Sequence, residues 1–133
     1  LADLAAVRAA AAAGAPDLWD VRHPDEFAGR EDRDNARRGH VPGARHLEWV
    51  ALLDGPDDDG SARRLRPRAE LAGIVAGLGF TPERPVITYC QSGIRAAFVH
   101  WVLEILQFQD VALYDASMGE WANRDDTPLD GPA

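Results

Sequence analysis

"ITYCQSGIRAAF", Ile87 to Phe98, decides how this chain is read. An apolar run ends at Cys90, the only cysteine, and a helix-like run begins at Ile94. The β-branched bulk of Val86, Ile87 and Thr88 predicts a strand over "PVITYC". Ile94 to Phe108 is apolar nearly all round. Its polar residues His100, Glu104 and Gln107 fall at i, i+4 and i+7, a single thin stripe, so a largely buried helix is expected. Cys90 therefore stands at the carboxyl end of a strand, which is where open α/β sheets bind ligands.

The same pattern repeats on either side. Leu4 to Ala13 reads as a helix closed by Gly14 and Pro16. "LWDV" (Leu18 to Val21) reads as a short buried strand. "HPDEFAG" begins a short helix with Pro24 near its first position and Asp25 and Glu26 in its first turn. "REDRDNARR" (Arg30 to Arg38) is a charged, solvated loop, "GHVPGA" (Gly39 to Ala44) is turn chemistry, and "RHLEW" is a further candidate strand. Leu71, Ile74, Val75 and Leu78 mark one apolar helix face between Pro67 and Gly79. "VALYD" (Val111 to Asp115) reads as the last strand, and the tail from Ser117 as irregular. Short apolar strands alternating with helices predict a parallel sheet covered by helices on both faces. The chain shows no internal repeat and no dividing linker, and its 133 residues suit one domain.

Composition removes several functions. The formal net charge is −8, which opposes nonspecific nucleic-acid binding and polybasic membrane contact. All 14 basic residues are arginine, so neither a lysine Schiff base nor a P-loop lysine is available. The alanine run Ala9 to Ala13 is too short to span a membrane. A single cysteine precludes an internal disulfide and suits a reducing cytoplasm. "DGPDDDGSARR" (Asp54 to Arg64) fails as a calcium loop, because Gly55 stands where the first ligand belongs and Arg66 where the closing glutamate belongs. The histidines show no metal spacing with the cysteine.

Cys90 has two readings: a small buried hydrophobe, or a nucleophile. A tight strand–loop–helix turn points successive N–H groups inward as an anion nest. Gly93 permits positive φ and close backbone approach. The helix start contributes partial positive charge, and Arg95 contributes a full charge or braces the loop. Each favours the thiolate, so the nucleophile is the expected reading.

"YCQSGIRAA" resembles the active-site loop of the rhodanese sulfurtransferases. "LWDVRHPDEFAG" is similar to the family's first strand with its Asp-x-Arg signature, here Asp20 and Arg22. "GHVPGARHL" is similar to its Gly-His-x-Pro-Gly-Ala turn. "LYDASMGEWANRDDTPL" is similar to the closing segment of tandem-domain members, where an aromatic near Trp121 shields the active-site mouth. The resemblance spans nearly the whole chain and implies a rhodanese-like α/β fold with a five-stranded parallel sheet. It implies a single domain over residues 1–133, either the C-terminal catalytic half of a tandem enzyme with an N-terminal rhodanese domain outside this chain, or a single-domain relative.

The activity implied is sulfur transfer. Cys90 would carry sulfur as a persulfide in a loop formed by Gln91, Ser92, Gly93, Ile94 and Arg95, supported by Asp20, Arg22 and Trp121. A small sulfane donor would load the sulfur, and cyanide or a thiol would remove it. No metal or organic cofactor is implied. Thiosulfate is expected ahead of 3-mercaptopyruvate, although Glu26 occupies the position where some two-domain members carry a substrate-binding arginine. Arg22 is expected to form an ion pair with Asp20 or a neighbouring carboxylate beneath the loop rather than to bind substrate. A cell-cycle phosphatase of this fold would need five residues between Cys and Arg, and only four separate Cys90 from Arg95. The alternative is a module that relays sulfur to, or regulates, a protein partner.

Overall fold

The computed structural model describes residues 1–54 and 63–131. The strands are β1 (Asp17–Asp20), β2 (Arg45–His46), β3 (Leu53–Asp54), β4 (Arg64–Leu65), β5 (Val86–Tyr89) and β6 (Val111–Leu113). The α-helices are α1 (Leu4–Ala13), α2 (Pro24–Ala28), α3 (Arg68–Gly77), α4 (Ile94–Ile105) and α5 (Ser117–Trp121), with a 3-10 turn at Trp49–Leu52. Four strands form a parallel sheet in the order β2-β1-β5-β6. The fold class is the expected one, with one strand fewer in the sheet. β3 and β4, which flank the polar excursion, pair antiparallel with each other instead of joining it. The calcium-loop reading falls largely on residues 55–62, outside the described residues.

Period-two alternation divides the core into two layers. From β5, Val86 and Cys90 face one cluster with Leu71, Val75, Val99, Val102 and Leu103 of α3 and α4. Ile87 and Tyr89 face the other, with Val7, Ala10, Tyr114, Met118 and Trp121. β1 does the same: Trp19 and Val21 go to the first layer and Leu18 to the second. Because β1 and β5 are buried on both faces, neither shows the alternation of a half-exposed strand.

Register places the chemistry. Asp20 lies opposite Tyr89 at the carboxyl ends of β1 and β5, so the next residues, Val21 and Cys90, leave the sheet side by side, and Arg22 follows one position further on, over the Tyr89 ring. These central strands precede connections that run to opposite sides of the sheet, the switch point where α/β folds form clefts.

Three local expectations are corrected. "RHLEW" is a strand only at Arg45–His46, and Trp49 then enters the 3-10 turn. The tail is not irregular throughout, since Ser117–Trp121 is helical. α4 buries Ala96, Val99, Val102 and Leu103, but Ile94 is 79% exposed and Trp101 51% exposed. An apolar residue at i and another at i+7 thus share a solvent face, which composition alone had assigned to the core.

Candidate active site

Cys90 follows the last residue of β5, and alternation turns its side chain toward α4. It is buried and unbridged. Its Sγ accepts from the Gly93 N–H at 3.1 Å and the Ala96 N–H at 3.4 Å. Among the described residues nothing accepts from the N–H groups of Gln91, Ser92, Ile94 or Arg95. The loop therefore gives the sulfur two N–H donors and keeps four more without an acceptor among the described residues, and α4 starts behind it with the positive end of its dipole.

Gly93 is required twice. Its φ is +92°, and a Cβ there would lie 2.7 Å from the Asp115 carbonyl oxygen. Ser92 and Ile94 are exposed on the loop. Gln91 is held by a reciprocal amide pair with Asn35: its Nε2 donates to Asn35 Oδ1 at 2.8 Å, and Asn35 Nδ2 donates to its Oε1 at 3.0 Å. Asn35 comes from the Arg30–Arg38 loop, which is thereby clasped to the active-site loop.

Arg95 does not stand free. Its two terminal nitrogens reach Glu26 at 2.8 and 3.0 Å, a bidentate pair. The Glu26 side chain is only 2% exposed, and it also accepts from the His23 N–H in a capping box at the start of α2. Burial pushes the Glu26 carboxyl up, but the hydrogen bonds and charge of Arg95, with His23 and Arg22, outweigh it and hold it below its ordinary value. The hydrogen bonds that Arg95 donates to Glu26 raise the guanidinium in turn.

Of the two kinds of partner expected for Arg22, Asp20 is the one it pairs with. Arg22 Nε lies 2.9 Å from Asp20 Oδ1 and its Nη2 2.7 Å from Oδ2, with both side chains at most 2% exposed. The remaining reach of Nη2 goes to the Gly39 carbonyl at 2.9 Å, so the pair ties the β1 end to the Gly39 turn. His40 braces that turn, stacked on Phe27 at 3.7 Å with Nδ1 2.9 Å from its carbonyl oxygen.

Trp121 is not at the mouth. It is fully buried in the layer with α1, and its Nε1 donates to the Pro128 carbonyl at 2.7 Å. The resemblance of the closing segment made it a candidate shield, but its helix turns it into the core. Met118 packs in the same layer.

A cleft of about 730 Å³ opens beside the loop, lined by His23, Asp25, Glu26, Glu31, Arg33, Asp34, Glu48, Gln91 and Arg95. Five of these nine are carboxylates, and both arginines reach Glu26, Arg95 as the bidentate pair and Arg33 at 4.0 Å. The mouth is therefore acidic. No group of three or more metal-ligating side chains occurs among the described residues, and no helix there is long and apolar enough to cross a membrane.

Two residues of this site carried no signal in a linear reading. Ser117 accepts from the Cys90 N–H at 3.0 Å from 27 positions away, and Asn35 meets Gln91 across 56. Only the fold brings them to the loop.

A family model described as Rhodanese-like domain matches residues 3–124. The chain is 43% identical over 119 residues to a thiosulfate sulfurtransferase of Pseudomonas aeruginosa, covering 88% of this chain and 41% of the relative. It is 36% identical over 100 residues to a 3-mercaptopyruvate sulfurtransferase of Escherichia coli K12, covering 75% of this chain and 33% of the relative. The chain thus spans well under half the length of these relatives. In fold it is similar to an anaerobic ergothioneine biosynthesis enzyme from Chlorobium limicola, with a TM-score of 0.82 at 23% identity over 99% of this chain and 32% of the other. With its cysteine loop, its Asp20–Arg22 pair and its sheet order all in place, this chain belongs to the rhodanese-like domain family.

Proposed function

We propose that this domain is a sulfurtransferase that carries a sulfane sulfur on Cys90, with thiosulfate as donor ahead of 3-mercaptopyruvate. The observation that carries the reading is the cradle. Cys90 Sγ already accepts two N–H bonds, and four further N–H groups of the loop have no acceptor among the described residues. Such an array stabilises a negative sulfur one atom beyond Sγ, as oxyanion-hole donors stabilise developing charge.

The chemistry needs only this chain's residues and two small molecules. The Cys90 thiolate attacks the outer sulfur of thiosulfate. The donor's S–S bond breaks, sulfite leaves with the bonding pair, and Cys90 holds a persulfide. Cyanide or a thiolate then attacks the outer persulfide sulfur. The new S–S bond breaks, thiocyanate or a small persulfide leaves, and the Cys90 thiolate returns. The names of the curated relatives support both donors, and their greater length supports reading this chain as one domain of a tandem enzyme. The free thiol supports action in a reducing cytoplasm.

A relay to a protein acceptor is the second reading. Ile94, 79% exposed, adjoins the loop, and Phe98 and Trp101 continue its helix face with ring centroids 6.1 Å apart. Steady-state thiocyanate formation separates the two. The enzyme reading expects turnover with thiosulfate and cyanide alone, parallel-line kinetics, and none with Cys90→Ser. Loading without turnover would move the assignment to the relay.

A further inference from the structure

Resting on the sulfur-transfer reading, one residue outside the loop controls where its sulfur lies. Ser117 is fully buried at the first position of α5. Its φ is +55°, the left-handed region that a residue other than glycine adopts only when its surroundings enforce it. Its hydroxyl donates its one proton to the Tyr114 carbonyl at 2.7 Å. That leaves its oxygen as an acceptor, and the Cys90 N–H fills it at 3.0 Å. The next two residues complete the contact: the Met118 N–H donates to the Cys90 carbonyl at 3.0 Å, and the Gly119 N–H to the Gln91 carbonyl at 2.8 Å. Gly119 allows this approach, since a Cβ there would lie 3.1 Å from the Gln91 oxygen.

The backbone of Cys90 is thus held on both sides by one segment of chain. Its N–H, which would otherwise be a buried donor with no partner, is directed away from the sulfur and onto Ser117. The peptide plane before Cys90 sets the Cα–Cβ direction, and so the 3.1 and 3.4 Å contacts of Sγ with the Gly93 and Ala96 N–H groups. We infer that Ser117 is a positioning residue of the reaction: its hydroxyl oxygen, by fixing the Cys90 N–H, aligns the sulfur with the donors of the loop. Because its proton is committed to Tyr114, it plays no acid role.

Two substitutions separate the hydroxyl from the backbone shape. Ser117→Gly relaxes the positive φ and removes the oxygen, while Ser117→Ala removes the oxygen and keeps the strain. The readouts are the thermal midpoint, kcat and KM for thiosulfate with cyanide, and the rate of Cys90 alkylation by iodoacetamide. The expected result for Ser117→Gly is a folded protein with kcat down about tenfold, donor KM within about twofold of wild type, and an altered alkylation rate. Wild-type kcat and alkylation in Ser117→Gly would overturn the inference, and Ser117 would be no more than a conformational requirement of the turn. Should Ser117→Ala fail to fold, Ser117→Gly decides alone. If wild type itself loads no sulfur, the functional reading fails, and the alkylation rates still decide the role of Ser117.

Discussion

Glu26→Gln separates what the Glu26–Arg95 pair does for stability from what it does to substrate. Glutamine keeps a carbonyl for the capping box but loses the charge and one acceptor for the guanidinium. Removing one partner of a fully buried pair costs about 3–5 kcal/mol. The Arg95 side chain is 21% exposed, so water relieves part of that, and a loss of about 2 kcal/mol remains. A chain of 133 residues has an unfolding entropy near the melt of about 0.28 kcal/mol per kelvin, so the midpoint should fall by about 7 °C. Function should move the other way. With its counter-charge gone, Arg95 attracts a dianion: at ~6 Å in water the gain is about 1.4 kcal/mol, cut by salt to roughly threefold in KM for thiosulfate. Differential scanning calorimetry and a thiosulfate titration read the two effects. A midpoint unchanged within about 1 °C, or a thiosulfate KM that rises, would refute the argument.

Other outcomes follow from the same geometry. Because Arg95 holds the Glu26 carboxyl below its ordinary value, the stability it contributes is complete above the unfolded value of 4.5 and lost as pH falls through the lower folded value. Urea midpoints of wild type and Glu26→Gln should differ by a constant amount above about pH 5.5 and converge in more acidic buffer; a gap that widens on acidification would contradict this. Since five carboxylates line the mouth, kcat/KM for thiosulfate should rise with added inert salt, and a fall would mean the approach is steered by positive charge. Asp20→Asn leaves the Arg22 guanidinium buried without its counter-charge and should cost about 3–5 kcal/mol, visible in a urea melt; a cost under about 1 kcal/mol would show that Arg22 finds water.

What could be read from the sequence was whatever rests on contiguous residues. The β1 and β5 strands, the Cys90 loop, the Gly93 turn and the α2 start each follow from a local run of residue types. The Asp20–Arg22 pair was legible for the same reason, being two positions apart on one strand end. Contacts across the fold were not. Nothing in "DASMGEW" announces that Ser117 accepts from Cys90, because that contact depends on how the β6–α5 connection crosses the end of β5. Glu26 looked only like a departure from a binding pattern until α2 brought its carboxylate to Arg95. The resemblance of the closing segment brought an aromatic near the mouth into view, but it could not show which way Trp121 faces, and the turn of α5 sends it into the core. The exposed Ile94 and Trp101 misled because an apolar face shows that a helix can be covered, not that anything covers it.

Intact-mass spectrometry after brief exposure to thiosulfate, with and without cyanide, on wild type and Cys90→Ser, tests the central claim most directly. The account predicts that wild type alone gains one sulfur atom and that cyanide removes it. A wild-type protein that stays unmodified by thiosulfate and by 3-mercaptopyruvate, or a Cys90→Ser protein that still gains sulfur, would contradict it.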